Sequence, residues 1–408
     1  MHFESTLVLL FAAASVVALV ARRLRIPYTV GLVLAGLALG GAHLDHGLHL
    51  TKDLLYAVFL PGLLFEASYH LDFLEFKRSI RAIFALAVPG VVAAIGVTAT
   101  LLVATSHTIG FAAGFGWPHA LVFSALIAAT DPIAVVALFK SLGAPKRLGV
   151  LTEGESLVND GTSIVLFTIV YAGVTTQGGL SIGAGAVEFL KVVGFGCMTG
   201  GAVAFLTSHV VKRIDDPMIE ITLTTVTAYG SFVLAERFQF SGVISTVTAG
   251  MVCGSYAAPR AMTHSTRIAV ESFWEYVAFA LNSLVFLLIG LEVRIGALLA
   301  DWAPIVIAFL AVTVGRAAVV FAVSTLLRPT AERIPWTWSV MLTWGGLRGA
   351  LSMVLALALP QDFPERDLIV TMTFGVVLLS IVVQGTTAGP LLRRLGLASS
   401  PQPTAARS

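Results

Sequence analysis

Apolar runs of membrane-spanning length recur along almost the whole chain, and acids sit inside some of them. An Asp in hydrocarbon costs about 2.5 to 3.5 kcal/mol on insertion scales. Yet Asp131, in Leu126–Phe139, and Asp160, in Glu155–Phe167, lie in two successive apolar runs. Such a chain can only fold as a bundle whose interior carries a polar path. In lipid every backbone group must be satisfied within the protein, so the spanning elements are helices. The composition agrees: 57% of the 408 residues are hydrophobic and 12% charged, about half the charged share of a soluble domain. The expected class is an all-α polytopic membrane protein with almost no soluble part.

A span needs about 20 apolar residues, fewer where a helix is broken. Thirteen segments qualify: 5–21, 28–41, 54–69, 80–105, 118–140, 155–176, 185–211, 217–236, 240–257, 272–291, 303–327, 336–360 and 367–390. The first lacks a basic start and a small-residue cleavage pattern, so it reads as a retained span. Short connections imply one membrane domain over 1–398, with a disordered tail over 399–408. With thirteen spans, 18 basic residues fall on the side reached after odd-numbered spans, four on the other and three within spans. The positive-inside rule then sets the N-terminus outside and the C-terminus in the cytoplasm. Cys197 and Cys253 make no metal or disulfide spacing and read as buried packing residues.

A faint internal repeat runs through the chain. Leu60-Pro61-Gly62-Leu63-Leu64-Phe65 resembles Leu281-Asn282-Ser283-Leu284-Val285-Phe286, with Glu66 and Glu292 following. The offset of seven spans inverts the two copies and pairs span five, broken at Pro132, with span twelve, which carries Gly345-Gly346-Leu347-Arg348-Gly349. Inverted repeats with discontinuous helices place a transporter's site at the midplane.

Pro132 lacks an N–H and its ring collides with the carbonyl of Ala128, so the helix must kink or open there. Freed carbonyls, the Thr130 hydroxyl and the Asp131 carboxylate together suit a hard monovalent cation; a plain proline kink is the alternative. Ser156 and Asp160 share one helix face and Glu155 and Asn159 the next. Glu153 is expected just before that helix, as a charge favourable to its N-terminus. Arg316 must pair or reach water, because arginine does not deprotonate; Glu155 is the expected partner. Arg348 is expected to brace the opened helix of span twelve. His43, His46, His49 and His70 fall in or near loops and read as solvated residues, with pH sensing or a metal as alternatives.

Five motifs together carry a resemblance: Leu60-Pro61-Gly62-Leu63-Leu64-Phe65-Glu66, Thr130-Asp131-Pro132-Ile133-Ala134-Val135, Gly154-Glu155-Ser156-Leu157-Val158-Asn159-Asp160, Gly315-Arg316 and Gly345-Gly346-Leu347-Arg348-Gly349-Ala350. In this order, over nearly the whole chain, they resemble the monovalent cation/proton antiporters, the sodium/proton exchanger family, and within it the bacterial NhaP-like branch. The resemblance implies a homodimer in the cell membrane, with a dimerisation domain beside a six-helix transport bundle that moves as an elevator. It implies that Asp160 binds cation or proton, helped by Asp131, Ser156 and the Thr130 backbone. Asn159 would bridge toward Glu66 and Thr130, and Glu155 would pair with Arg316. The Asn159-Asp160 pair implies electroneutral exchange of Na+, also Li+, for H+, with a role in pH homeostasis. K+/H+ exchange by the same mechanism is the alternative, and a cation channel the rival from another class. A channel needs a continuous pore, and this chain offers one asymmetric site. Ser/His pairings that would suit an intramembrane protease are missing, so no enzyme is expected. Neither a cofactor nor nucleic acid is expected; the partners are the cation, H+, the bilayer and a second copy of the chain.

Overall fold

The computed structural model describes residues 3–24, 27–41, 52–109, 114–175 and 182–398. Among them every regular element is helical. Seven helices are long and apolar enough to cross a membrane: Ile80–Thr108, Lys146–Thr175, Gly183–Val211, Pro217–Arg237, His264–Glu292, Trp302–Leu326 and Arg366–Arg394. The other expected segments appear as shorter helices or as pairs of half-helices. His43, His46, His49 and the tail 399–408 lie outside the described residues.

Two segments are discontinuous. The helix Trp117–Leu126 stops before Pro132, and Ile133–Ser141 resumes after it. The helix Trp336–Trp344 stops at the glycines, and Ala350–Leu357 resumes beyond them. The two interruptions cross, and the Asp131 amide donates to the Leu347 carbonyl at 2.8 Å. Backbone freed in one segment is thus satisfied by backbone freed in the other.

Elsewhere close packing rests on glycine. The short Tyr28–Gly41 helix lies against His264–Glu292, where Gly36 and Gly290 face each other. A Cβ on Gly36 would sit 2.2 Å from the Leu287 carbonyl, and one on Gly290 2.2 Å from that of Val33. Small residues let helix backbones approach where lipid gives no hydrophobic drive to associate. Pro89 opens a wide turn over Leu86–Gly90 in the Ile80–Thr108 helix, the local adjustment a mid-helix proline demands.

Two expectations need correction here. Cys253 is buried, but Cys197 is exposed on the Ile182–Val211 helix, beside exposed Phe195 and Met198. Its face of that helix is outward and apolar, so it packs against no core. The helix that carries Glu153 begins at Lys146, straight after Pro145, so Glu153 lies in its interior. A proline preceding the first helical turn is preorganised for a helix start.

Candidate functional site

Opening a helix at membrane depth leaves carbonyls without donors, and each must find one. Around Pro132 they do. Arg348, from the other interrupted segment, directs Nη1 at the carbonyls of Ile127, Ala128 and Ala129 at 2.7, 2.8 and 3.2 Å. Asn159 Nδ2 adds a second bond to Ala128 O at 3.1 Å. Ser156 Oγ donates to Thr130 O at 2.5 Å. Arg348 was expected to brace its own segment; it braces the opposite one, because the crossing brings the larger set of freed carbonyls within its reach. Its own amide is held by Ser380 Oγ at 3.0 Å.

Beside the crossing lies a cleft of about 110 Å3. Thr130, Asp131, Ser156 and Asp160 line it, as do Glu153, Asn282 and Gly349. Asp131 Oδ1 accepts from the Ile133 amide at 3.1 Å, and Oδ2 lies against Gly349. A Cβ at position 349 would stand 2.8 Å from that oxygen, so the glycine leaves the room the carboxylate fills. Asp160 is half-buried and faces the cleft. Two carboxylates, a hydroxyl and a backbone carbonyl therefore converge on one space. All are hard oxygen donors, the set that suits a cation without soft-ligand or geometric demands.

The two faces of the Lys146–Thr175 helix divide the work. Glu155 accepts two hydrogen bonds from Arg316, Nη1 to Oε1 and Nη2 to Oε2, both 2.8 Å. Glu155 is 1% exposed and Arg316 8%, so the pair is dry. Arg316 Nη2 also donates to Leu342 O at 3.2 Å, which ties three helices together. Asn159 donates to Thr130 Oγ1 at 3.1 Å and accepts from Ser163 Oγ at 2.6 Å. The Thr130 hydroxyl is thereby held by Asn159, while its carbonyl is held by Ser156.

Glu66 is not brought to Asn159. It pairs with His70, one helical turn on, Nδ1 to Oε1 at 3.2 Å. The two hydrogens of the Asn159 amide are shared among Ala128, Thr130 and, at the longer 3.4 Å, Glu155, which leaves none for a bridge to Glu66. Two lining residues were missed from the sequence. Asn282 is a lone amide inside an apolar run, and that was its signal; Glu153 was placed outside the helix. Among the described residues no group of His, Cys, Asp or Glu has the arrangement of a transition-metal site.

Sequence comparison accounts for this arrangement. Residues 9–394 match the family described as sodium/hydrogen exchanger, transmembrane. The chain is 37% identical to the Na(+)/H(+) antiporter NhaG of Bacillus atrophaeus, over 97% of this chain and 75% of that one. It is 36% identical to the Na(+)/H(+) antiporter NhaH of Halobacillus dabanensis, over 97% and 98%. The structure of the sodium proton antiporter MjNhaP1 from Methanocaldococcus jannaschii has the same fold, with a TM-score of 0.76 at 18% identity over 96% and 98% of the two chains. With its interrupted helices crossed beside paired carboxylates, the chain belongs to the transmembrane sodium/hydrogen exchanger family.

Proposed function

We propose that this protein exchanges Na+, and also Li+, for H+ across the cell membrane, one for one, by alternating access. The observation that carries this is the convergence of Asp131, Asp160, Ser156 and the Thr130 carbonyl on one cleft between crossed half-helices. Relatives over nearly the full length are named Na(+)/H(+) antiporters, which favours sodium over potassium and a carrier over a channel. Cation and proton compete for the Asp160 oxygens, and competition at one site makes the exchange obligatory when the empty carrier does not cross. Asn159 carries no proton and Glu155 keeps its charge through Arg316, so one net acid alternates between the two ions.

The cleft separates Leu60, Leu63, Leu64, Asn282 and Val285 from the crossed half-helices and the Lys146–Thr175 helix. That division suits a dimerisation part and a six-helix transport bundle that slides past it as an elevator, within the single membrane domain 1–398 of a homodimer. With basic residues concentrated on one side, the N-terminus lies outside and the C-terminus is cytoplasmic.

The test is proton release from proteoliposomes on addition of each cation. Asp160→Asn and Asp131→Asn should each abolish exchange while the protein stays folded in the membrane; wild-type flux in Asp160→Asn refutes the site. The rate should be bell-shaped in pH, with more cation moving the acid limb further toward acid. Stoichiometry is tested by imposing a membrane potential with valinomycin and potassium at zero proton gradient. Net sodium movement under that potential alone rules out one-for-one exchange and requires a second titrating carboxylate.

A further inference from the structure

Glu153 stands on the same helix face as Ser156 and Asp160. It is two turns from Asp160, about 10.5 Å along the helix axis, and lines the same cleft. It begins its helix neither by position nor by role, since dipole effects fade within the first turn and the helix starts at Lys146. Its Oε1 instead meets Nζ of Lys140, on the half-helix Ile133–Ser141, at 3.3 Å. Glu66 and His70, paired with each other on the facing helix, lie within electrostatic reach of Glu153. Two acid–base pairs, Glu153–Lys140 and Glu66–His70, thus stand near each other at the Glu153 end of the cleft.

The two ion pairs of the Lys146–Thr175 helix differ in kind. Glu155–Arg316 is bidentate and dry. Lys140 is 73% exposed and holds Glu153 by a single contact from a flexible stem. Exposed pairs of that sort are weak and easily exchanged. An ammonium and a monovalent metal ion also carry the same charge, so either can neutralise Glu153.

We propose that Lys140 is a tethered competitor at the mouth: the transported cation takes Glu153 from the Lys140 ammonium on its way to Asp160. The inference rests on the exchange proposed above and assigns it a device that sets apparent cation affinity. Lys140 governs the concentration at which the cleft fills, and the inner carboxylates govern what happens once it has filled.

Initial rates of sodium-driven proton release from proteoliposomes separate the two. Lys140→Gln should lower KM by about two- to fivefold, the range an exposed ion pair supports, with kcat held. Lys140→Arg should keep the wild-type KM. Glu153→Gln should raise KM several-fold, and the double variant should behave as Glu153→Gln alone, because the lysine acts only through that carboxylate. Choline chloride should shrink the Lys140→Gln effect by screening. An unchanged KM in Lys140→Gln overturns the proposal, as does a KM drop that persists when Glu153 is already Gln. Flux surviving in Asp160→Asn would overturn the inner site instead, a separate failure read in the same vesicles.

Discussion

Removal of Arg316 tests the internal scaffold of the site most sharply. In Arg316→Ala the Glu155 carboxylate, 1% exposed, keeps only the Asn159 amide at 3.4 Å, and Leu342 O loses a donor. Stranding one partner of a buried pair costs about 3 to 5 kcal/mol, which places this variant among strongly destabilising single changes. Glu155→Ala strands the guanidinium, whose Nε already lacks a hydrogen-bond partner, and should cost a similar amount. The double variant removes both charges and leaves an apolar void. Coupling within such a pair reaches about 2 to 3 kcal/mol, so the double variant should be clearly more stable than the sum of the singles. Arg316→Lys should fall between wild type and Arg316→Ala, because an ammonium cannot make the two parallel bonds of the fork. Thermal unfolding of the purified proteins, followed by tryptophan fluorescence in one detergent, supplies all four values. A double variant as unstable as the sum of the singles would refute the coupling.

Two further perturbations reach other parts of the site. Gly349→Ala puts a methyl 2.6 Å from the Asp131 Cβ; displacement of that carboxylate should raise the KM for sodium by about tenfold, equivalent to 1.4 kcal/mol, with membrane yield retained. A normal KM in vesicle flux would show that Asp131 has room to move. His70, just past its helix, is opposed in its charged form by burial. The Glu66 hydrogen bond and charge, with Glu275, outweigh this and hold its pKa above the usual value. Its stabilising contribution is therefore full below the ordinary histidine value and fades as pH rises through the raised one. His70→Gln should flatten that slope in melting temperature against pH, and an unaltered slope would exclude His70 as its source.

The interruption at Pro132 was legible because a missing N–H has only one structural consequence in lipid. The Ser156–Asp160 face followed from helical spacing alone. The Glu155–Arg316 pair was legible because a buried guanidinium needs an acid and few were on offer. The target of Arg348 was not, because nothing in span twelve records which backbone it crosses. The partner of the Thr130 hydroxyl was not legible from spacing, for a related reason: it is Asn159, 29 residues away. The helix start before Glu153 is not marked by the apolar run, which begins later, but by Pro145.

The crossing has a mechanical consequence. Arg348 clasps three carbonyls of the opposite segment, and Asp131 and Leu347 are joined amide to carbonyl. Sliding one half-helix past the other would break these bonds among buried groups, which is costly. The crossed segments are therefore geared as a single strut, and any displacement that spares the bonds must carry both together. What can yield at lower cost is the seam along Leu60, Leu63, Leu64 and Val285, whose side chains are apolar. Grease lies on one side of the ion's path and a welded joint on the other.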